Sequence, residues 1–247
     1  MDRLLPRFRW GSIAPLVPVV DRGPGHQFYQ IVPLDVMEIV VSLGLVDYTP
    51  EGVEEAIENF QPCVELLAAE GADRIVLGAA PISAQLGRDR VRRLLDEMER
   101  ATGIPGDAPL EAVIAAMAHL GLRRIAVGSK WADQLNERLR AYLEAGGLEV
   151  VAITARGRWA KENAALSYED GFQAALEVAR EAARLAPGAE AILSAGGPAR
   201  TLPVIPVLEE ELGKPVLSQL SAEVWHGLVH AGVIPPVRGW GLLMASP

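Results

Sequence analysis

The sequence predicts an α/β protein in which helices cover both faces of parallel sheets. Strand patterns alternate with helix patterns along most of the 247 residues, an order typical of parallel sheets. The strands in "RIVLGAA" (74–80) and "RRIAVGS" (123–129) are almost unbroken apolar runs, as expected for strands buried on both faces. "EGADRIVLGAAP" (70–81) and "PGAEAILSAGGP" (187–198) repeat one pattern, which indicates two similar halves.

The first quarter of the chain contains the clearest helix signal. A strand is predicted at 9–18, and the Gly- and Pro-containing loop at 18–30 has the composition of a mobile lid. A second strand follows at 35–43. The helix then covers 48–71, because Thr49 is a suitable N-cap, Pro50 suits the first helical position and a glycine closes it.

The remaining elements continue the alternation. They are strands at 73–79, 123–129, 148–155, 190–194 and 215–219, and helices at 87–102, 108–120, 131–146, 168–186, 199–212 and 221–232. Ligands of parallel sheets bind beyond the carboxyl ends of the strands. The two repeats therefore predict that the turns after strands 73–79 and 190–194 face each other across a small-molecule cleft.

Composition excludes several classes of partner. The net charge of −9 and the single Lys/Arg cluster, at 88–93, argue against nucleic acid binding, and we expect that cluster to be a solvated helix face. No stretch is apolar enough to span a bilayer or to act as a secretory signal, so we expect a cytoplasmic protein without membrane contact. Cys63, the single cysteine, lies on the apolar face of helix 48–71 and is expected to pack in the core.

Five stretches together resemble the aspartate/glutamate racemase superfamily, most closely its arylmalonate decarboxylase and maleate cis-trans isomerase branch. They are "TPEG" (49–52), "GADRIVLGAAPIS" (71–83), "LGLRRIAVGSKWADQLNERL" (120–139), "ILSAGG" (192–197) and "ELGKPVLSQLSAEVWHGL" (211–228). The resemblance implies two pseudo-symmetric lobes, each a four-stranded parallel sheet flanked by helices, with the active site in the cleft between them. Residues 1–117 and 221–247 would form the N-terminal lobe, and residues 118–220 the C-terminal lobe.

The resemblance also locates two catalytic positions. Family racemases and isomerases carry one cysteine on each lobe, and the decarboxylase keeps only the second. The matching positions here are Ala79 and Ala195, and Cys63 cannot replace either because it lies inside a helix. Racemisation by two thiols is therefore unavailable, since acid and base must both reach the substrate carbon.

Other groups must then carry any chemistry. Lys130 and His26 are the candidate acids or bases, although a surface lysine and an exposed loop histidine are the alternatives. The candidate substrate-binding residues are Arg22, Ala80, Pro81, Ser83, Gln85, Ser129, Trp131, Ser194, Gly196 and Gly197. Capping or turn hydrogen bonds are the alternative for the serines and Gln85.

The reasons for these assignments differ. Arg22 suits bidentate carboxylate binding, whereas Ala80 and Pro81 replace a Thr-Ser carboxylate cradle of the decarboxylase and weaken it. Trp131 matches a tyrosine of the decarboxylase pocket. The amides of Gly196 and Gly197 precede a predicted helix N-terminus, which suits an anion. Polar contacts are also plausible from Ser218, Gln219 and Ser221 at the end of the last strand.

We expect no metal and no cofactor. His226 and His230 have metal-compatible i, i+4 spacing but lack a third ligand. The resemblance implies a lyase or isomerase that acts on a small organic acid through an enolate-like intermediate, here by a cysteine-independent route. The sequence leaves open whether the chain forms a homo-oligomer. The alternatives are a catalytically silent homologue that binds a small acid, and a cysteine-to-alanine variant of a racemase or decarboxylase.

Overall fold

Two four-stranded sheets with the same strand order form the framework of the protein. The computed structural model describes residues 5–15, 24–157, 166–196 and 200–247, with the backbone alone at residues 24 and 25. When the four strands of each sheet are numbered along the chain, both sheets have the order 2-1-3-4, and the paired strands are all parallel. This confirms the predicted fold class.

The strands and helices follow the predicted order, and a short strand at Gly106–Asp107 that the sequence did not predict is added to the first sheet. The strands are β1 Phe8–Ala14, β2 Val36–Ser42, β3 Arg74–Leu77, β4 Gly106–Asp107, β5 Arg124–Gly128, β6 Glu149–Ile153, β7 Ala191–Ser194 and β8 Val216–Ser218. The helices are α1 Pro24–Ile31, α2 Pro50–Ile57, α3 Phe60–Ala69, α4 Ala80–Leu86, α5 Arg88–Thr102, α6 Pro109–His119, α7 Asp133–Ala145, α8 Tyr168–Leu185, α9 Val204–Leu212 and α10 Gln219–Val224, which continues as a π-helix over Trp225–His230.

The sequence repeat falls on equivalent strands. β3 and β7 each lie third in their sheet, beside β1 and β5 respectively. Both are buried along almost their whole length, as expected for strands covered by helices on both faces. The repeat therefore marks two halves of one topology, and its turns lie at corresponding edges of the two sheets.

The predicted helix over 48–71 divides into α2 and α3. Thr49 caps α2 as predicted, and its hydroxyl accepts a hydrogen bond from the Gly52 amide at 3.1 Å. The break falls at Glu58 and Asn59. Its physical cause is Pro62, because a proline ring clashes with the carbonyl four residues earlier and removes one helical hydrogen bond.

The predicted lid is wrong over its second half, because residues 24–31 form helix α1. Phe28 and Ile31 are buried on one face, and the Phe28 ring lies 5.8 Å from the ring of Trp10 on β1. This packing fixes a helix whose short apolar pattern the Gly- and Pro-rich context obscured. Residues 18–23 of the predicted loop lie outside the described residues.

Three further elements differ from prediction. The turn after β3 is helix α4, which Gly87, with φ of 76°, separates from α5. The predicted helix 199–212 begins only at Val204. The last helix begins two residues before its predicted start, because the Ser218 and Ser221 side chains form a reciprocal capping box.

The basic cluster at 88–93 is less solvated than expected. Arg88 donates to both carboxylate oxygens of Glu111 at 2.8 and 3.1 Å and to the Ala145 carbonyl, while Arg90 pairs with Glu54. These contacts join α5 to α6, α7 and α2. Within the described ranges, no helix combines the length and apolarity needed to cross a bilayer.

Candidate functional site

The helix that follows β3 in the first sheet lies against the helix that follows β5 in the second sheet. α4 begins at the turn after β3 and packs against α7, which begins three residues after Lys130. Arg138 of α7 donates a hydrogen bond to the Gln85 carbonyl of α4 at 3.3 Å. These two helices therefore join the two sheets, and the facing of the turns after β3 and β7 stays a prediction.

The sheet register relates the two turns residue by residue. Leu77 pairs with Ile13, and the next amide, of Gly78, donates to the Ile13 carbonyl at 2.9 Å. In the second sheet Ser194 pairs with Gly128, and the Ala195 amide donates to the Gly128 carbonyl at 3.0 Å. Internal symmetry thus makes Gly78 the counterpart of Ala195, one residue before the Ala79 that the family resemblance selected.

Backbone conformation supports the same pairing. Ala79 has φ of 69° and Gly196 has φ of 106°, so these two residues are the left-handed positions of their turns. Ala79 is half-buried, and Ala195 is buried. Neither Gly78, Ala79 nor Ala195 carries a thiol, so the choice between 78 and 79 does not alter the absence of cysteine.

Lys130 is a fully buried cation at this edge. It follows β5 by two residues, its side chain has no solvent exposure, and its ammonium nitrogen lies 3.4 Å from the Ala195 carbonyl oxygen. The surface-lysine alternative is therefore wrong. A charge removed from water is costly unless the protein or a ligand compensates it.

A buried polar network fixes the backbone on either side of Lys130. The Ser129 hydroxyl donates to Asn136 Oδ1 at 2.7 Å and accepts from the Trp131 amide. Asn136 Nδ2 donates to the carbonyls of Trp131 and Thr154, and the Thr154 hydroxyl donates to the Ser129 carbonyl. Ser129 and Trp131 thus have structural partners in addition to any ligand role.

A glutamine side chain from the end of the neighbouring strand β8 contacts the turn after β7. Gln219, the residue after β8, accepts the Gly196 amide at 3.2 Å through Oε1, while its buried Nε2 has no hydrogen-bond partner. An anion at the Gly196 amide would therefore have to displace Gln219 Oε1. The buried Ser194 hydroxyl likewise lacks a partner.

Four of the predicted substrate-binding residues lie on α4, and they differ in whether the protein already provides them with a partner. Ala80 and Pro81 are buried in the first turn of α4, and Gln85 donates to the Tyr48 carbonyl at 2.8 Å. Ser83 is fully buried with an unpartnered hydroxyl. Ser83 is thus available for a ligand contact, whereas the Gln85 amide has a structural partner.

The remaining predicted residues are less informative. His26 is exposed on α1, where its Nε2 lies 3.0 Å from Gln30 Nε2. Arg22 and Gly197 lie outside the described residues. Cys63 packs in the core as predicted, and its thiol donates to the Ser42 carbonyl. Burial raises the pKa of this thiol, so Cys63 stays protonated and is a poor nucleophile.

His226 and His230, whose spacing is compatible with a metal, contact other side chains of the protein. His226 Nδ1 lies 2.6 Å from Asp107 Oδ2, and the His226 and His230 rings stack with centroids 6.3 Å apart. Among the described residues, no group of three or more His, Cys, Asp or Glu side chains could hold a metal ion.

Sequence reasoning missed two polar residues beyond β7. Arg200 and Thr201 are buried, and each has a side-chain atom without a hydrogen-bond partner. By contrast, the backbone amide of the next residue, Leu202, has a partner, because it donates to Gln27 Oε1 of α1 at 2.9 Å. The one sequence signal was the position of the Arg-Thr pair shortly after a strand-end turn.

Two parallel sheets of equal topology, with a buried cation and spare polar groups at their carboxyl edges, define a protein of the aspartate/glutamate racemase-type fold. The chain belongs to the arylmalonate decarboxylase family, whose model matches residues 29–244. It is 30% identical, over 234 residues, to the arylmalonate decarboxylase of Bordetella bronchiseptica, covering 94% of this chain and 95% of that one.

Solved structures agree with this assignment. A liganded double mutant of arylmalonate decarboxylase superposes with a TM-score of 0.84 at 29% identity, covering 96% of this chain and 98% of that chain. Maleate cis-trans isomerase from Nocardia farcinica, solved with a covalently bound succinylcysteine intermediate, superposes with a TM-score of 0.79 at 22% identity and the same coverage. The second likeness shows the shared fold.

Proposed function

We propose that the protein is a cofactor-free decarboxylase of a small malonate-type acid that works without a cysteine, with Lys130 as the proton donor. The observation that carries this proposal is the fully buried ammonium of Lys130, 3.4 Å from the Ala195 carbonyl. Ala195 is the position where the family resemblance expects the decarboxylase cysteine. The cation thus reaches the turn where a thiol is missing.

The reaction needs an acid but no redox partner. The bond between the α-carbon and one carboxylate breaks, carbon dioxide leaves, and the electron pair remains on the α-carbon and the second carboxylate as an enediolate. Lys130 then donates its Nζ proton to the α-carbon, and water restores the proton to the amine. The net change converts a malonate and one proton into a substituted acetate and carbon dioxide.

The positive charge of Lys130 supports decarboxylation through an enediolate. A cation held in a water-poor site stabilises developing negative charge more strongly than it would in water. Ser83, Ser194 and Gln219 each keep a buried polar atom without a protein partner, and all three follow or end strands at the same edges. These groups are available to bind substrate oxygens.

Isomerisation through the same enolate-like species is the related alternative, because the family branch contains both activities. A lone acid on one face suits protonation of an enediolate better than exchange across two faces, which requires a second acid or base. We therefore favour decarboxylation.

Turnover of purified protein tests the proposal. Phenylmalonate is incubated in D₂O, carbon dioxide is measured, and deuterium at the α-carbon of the product is quantified by NMR; maleate, amino acids and hydantoins are assayed in parallel. We expect carbon dioxide and one deuterium per turnover from phenylmalonate. Absence of turnover on every compound, together with thermal stabilisation by the acids, would contradict the proposal and favour a small-acid-binding homologue.

A further inference from the structure

Arg200 combines three unusual features. Its φ is 54°, the residue is 8% exposed, and its buried Nη1 has no hydrogen-bond partner. A non-glycine residue is strained in the left-handed region, and a buried guanidinium N–H group without a hydrogen-bond partner is destabilising. Such costs persist mainly where function requires them.

The guanidinium is held in place by an aromatic ring. Its central carbon lies 4.1 Å from the ring centroid of Tyr168, the first residue of α8. Stacking on an aromatic face fixes the plane of the guanidinium while leaving its edge N–H groups free to donate. No ion pair of Arg200 occurs within the described part of the chain.

Topology places this pair at the carboxyl edge of the second sheet. α8 packs on β5 and β7 and runs back antiparallel to them, so its first residue lies near the strands' carboxyl ends. Arg200 follows the end of β7 by six residues. Two residues later, the Leu202 amide bonds to Gln27 of α1, so the first half of the protein also reaches this segment.

We propose that Arg200, oriented by Tyr168, binds a carboxylate of the substrate. A planar guanidinium with a free edge matches a carboxylate in bidentate geometry. It would replace binding lost at the turn after β3, where Pro81 lacks an N–H and Ala80 lacks a hydroxyl. The inference rests on the proposed function for its substrate class, but it concerns binding and is measured without turnover.

Isothermal titration calorimetry with an acid and the corresponding amide measures how much the contact between Arg200 and a carboxylate contributes to binding. The probes are phenylacetate and phenylacetamide, which share shape but differ in charge. The variants are Arg200→Met, Arg200→Lys and Tyr168→Leu, and the control is Arg180→Met, which removes an exposed arginine of α8 that pairs with Glu211. Circular dichroism checks that each variant folds.

We expect Arg200→Met to weaken phenylacetate binding at least tenfold and phenylacetamide binding less than twofold. Arg200→Lys should recover only part of the loss, because an ammonium cannot donate in bidentate geometry. Tyr168→Leu should weaken the acid several-fold, and Arg180→Met should change neither probe. If Arg200→Met does not fold, phenylacetate and phenylacetamide binding are compared in Arg200→Lys and Tyr168→Leu instead.

Three results would overturn the inference. They are equal weakening of acid and amide, unchanged acid binding in the Arg200 variants, and failure of the wild-type protein to bind phenylacetate. Failure of the proposed function has a different signature: the acid binds in an Arg200-dependent way, but phenylmalonate is not converted.

Discussion

The ammonium nitrogen of Lys130 lies 3.4 Å from the carbonyl oxygen of Ala195, so a side chain from the end of β5 reaches the turn after β7. This contact joins the two central strands of the second sheet at their carboxyl ends. It places a proton-bearing group beside the residue where the family resemblance expects a cysteine.

Removing the Lys130 charge should slow turnover strongly. Lys130→Met retains much of the side-chain length but cannot donate a proton, and general acid catalysis contributes about 10²–10⁴-fold. We therefore expect kcat on phenylmalonate to fall by at least 100-fold. Lys214→Met is the matched control, because Lys214 donates to the carbonyls of Pro187 and Ala189 near the amino ends of β7 and β8, at the opposite edge of the sheet. Equal loss in both variants would contradict the role of Lys130.

Introducing a thiol at Ala195 should add a second route for protonation. Ala195→Cys is expected to increase decarboxylation, and to keep activity when combined with Lys130→Met, because the thiol replaces the missing acid. A further cysteine at Gly78 or Ala79 should add exchange of the α-proton of a substituted acetate with D₂O. The sheet register favours position 78, although a Cβ there would lie 2.9 Å from the Ile13 carbonyl oxygen. No gain in any combination would show that these turns do not form the family's pocket.

Asn136 should act as a positioning residue. Asn136→Ala leaves the buried Ser129 hydroxyl and the Trp131 and Thr154 carbonyls without the amide that binds them. An unpaired buried group costs about 1–3 kcal/mol, so the free energy of unfolding should fall by at least that amount. Because the network flanks Lys130, kcat should fall more than KM changes. Gln134→Ala, an exposed amide removal on the same helix, should alter neither quantity.

Ala79→Gly should stabilise the protein. Ala79 has φ of 69°, which glycine adopts without the Cβ penalty. The gain is limited to about 1 kcal/mol, because glycine also gains freedom in the unfolded chain. Urea denaturation measures it, with Ala84→Gly inside α4 as the control that should destabilise. A lower midpoint for Ala79→Gly would contradict the conformational argument.

Glu223 should make stability fall as the pH rises. Burial, with the carboxylates of Asp107 and Glu38 nearby, raises the pKa of Glu223 well above its ordinary value of 4.5. Between the unfolded and folded pKa values the native state holds a proton that the unfolded state has released, so the free energy of unfolding decreases with rising pH in that window. Arg74 and His226 also face this cluster, through Asp107.

Glu223→Gln removes this titration. The variant should exceed the wild type in free energy of unfolding at pH 8, and the difference should shrink as the pH falls toward 4.5. Urea denaturation at several pH values measures the trend. Glu210→Gln, at an exposed position on α9, is the control and should show no such trend. A difference independent of pH would contradict the raised pKa.

The sequence by itself determined the α/β class, the alternation of elements and the two equivalent halves. These follow from local patterns: apolar runs of strand length, the Thr49-Pro50 helix start and the repeat that falls on β3 and β7. It also determined that no cysteine follows either strand, since that is a matter of residue identity alone.

Only the tertiary structure decided which side chains share the site. Burial of Lys130, stacking of Arg200 on Tyr168 and the Asn136 network all join residues from different elements, and such contacts leave no periodic trace in the chain. The sheet register likewise paired Gly78 with Ala195, because inter-strand hydrogen bonds fix that correspondence. Local propensity could not find α1 either, whose helix depends on packing Phe28 against Trp10.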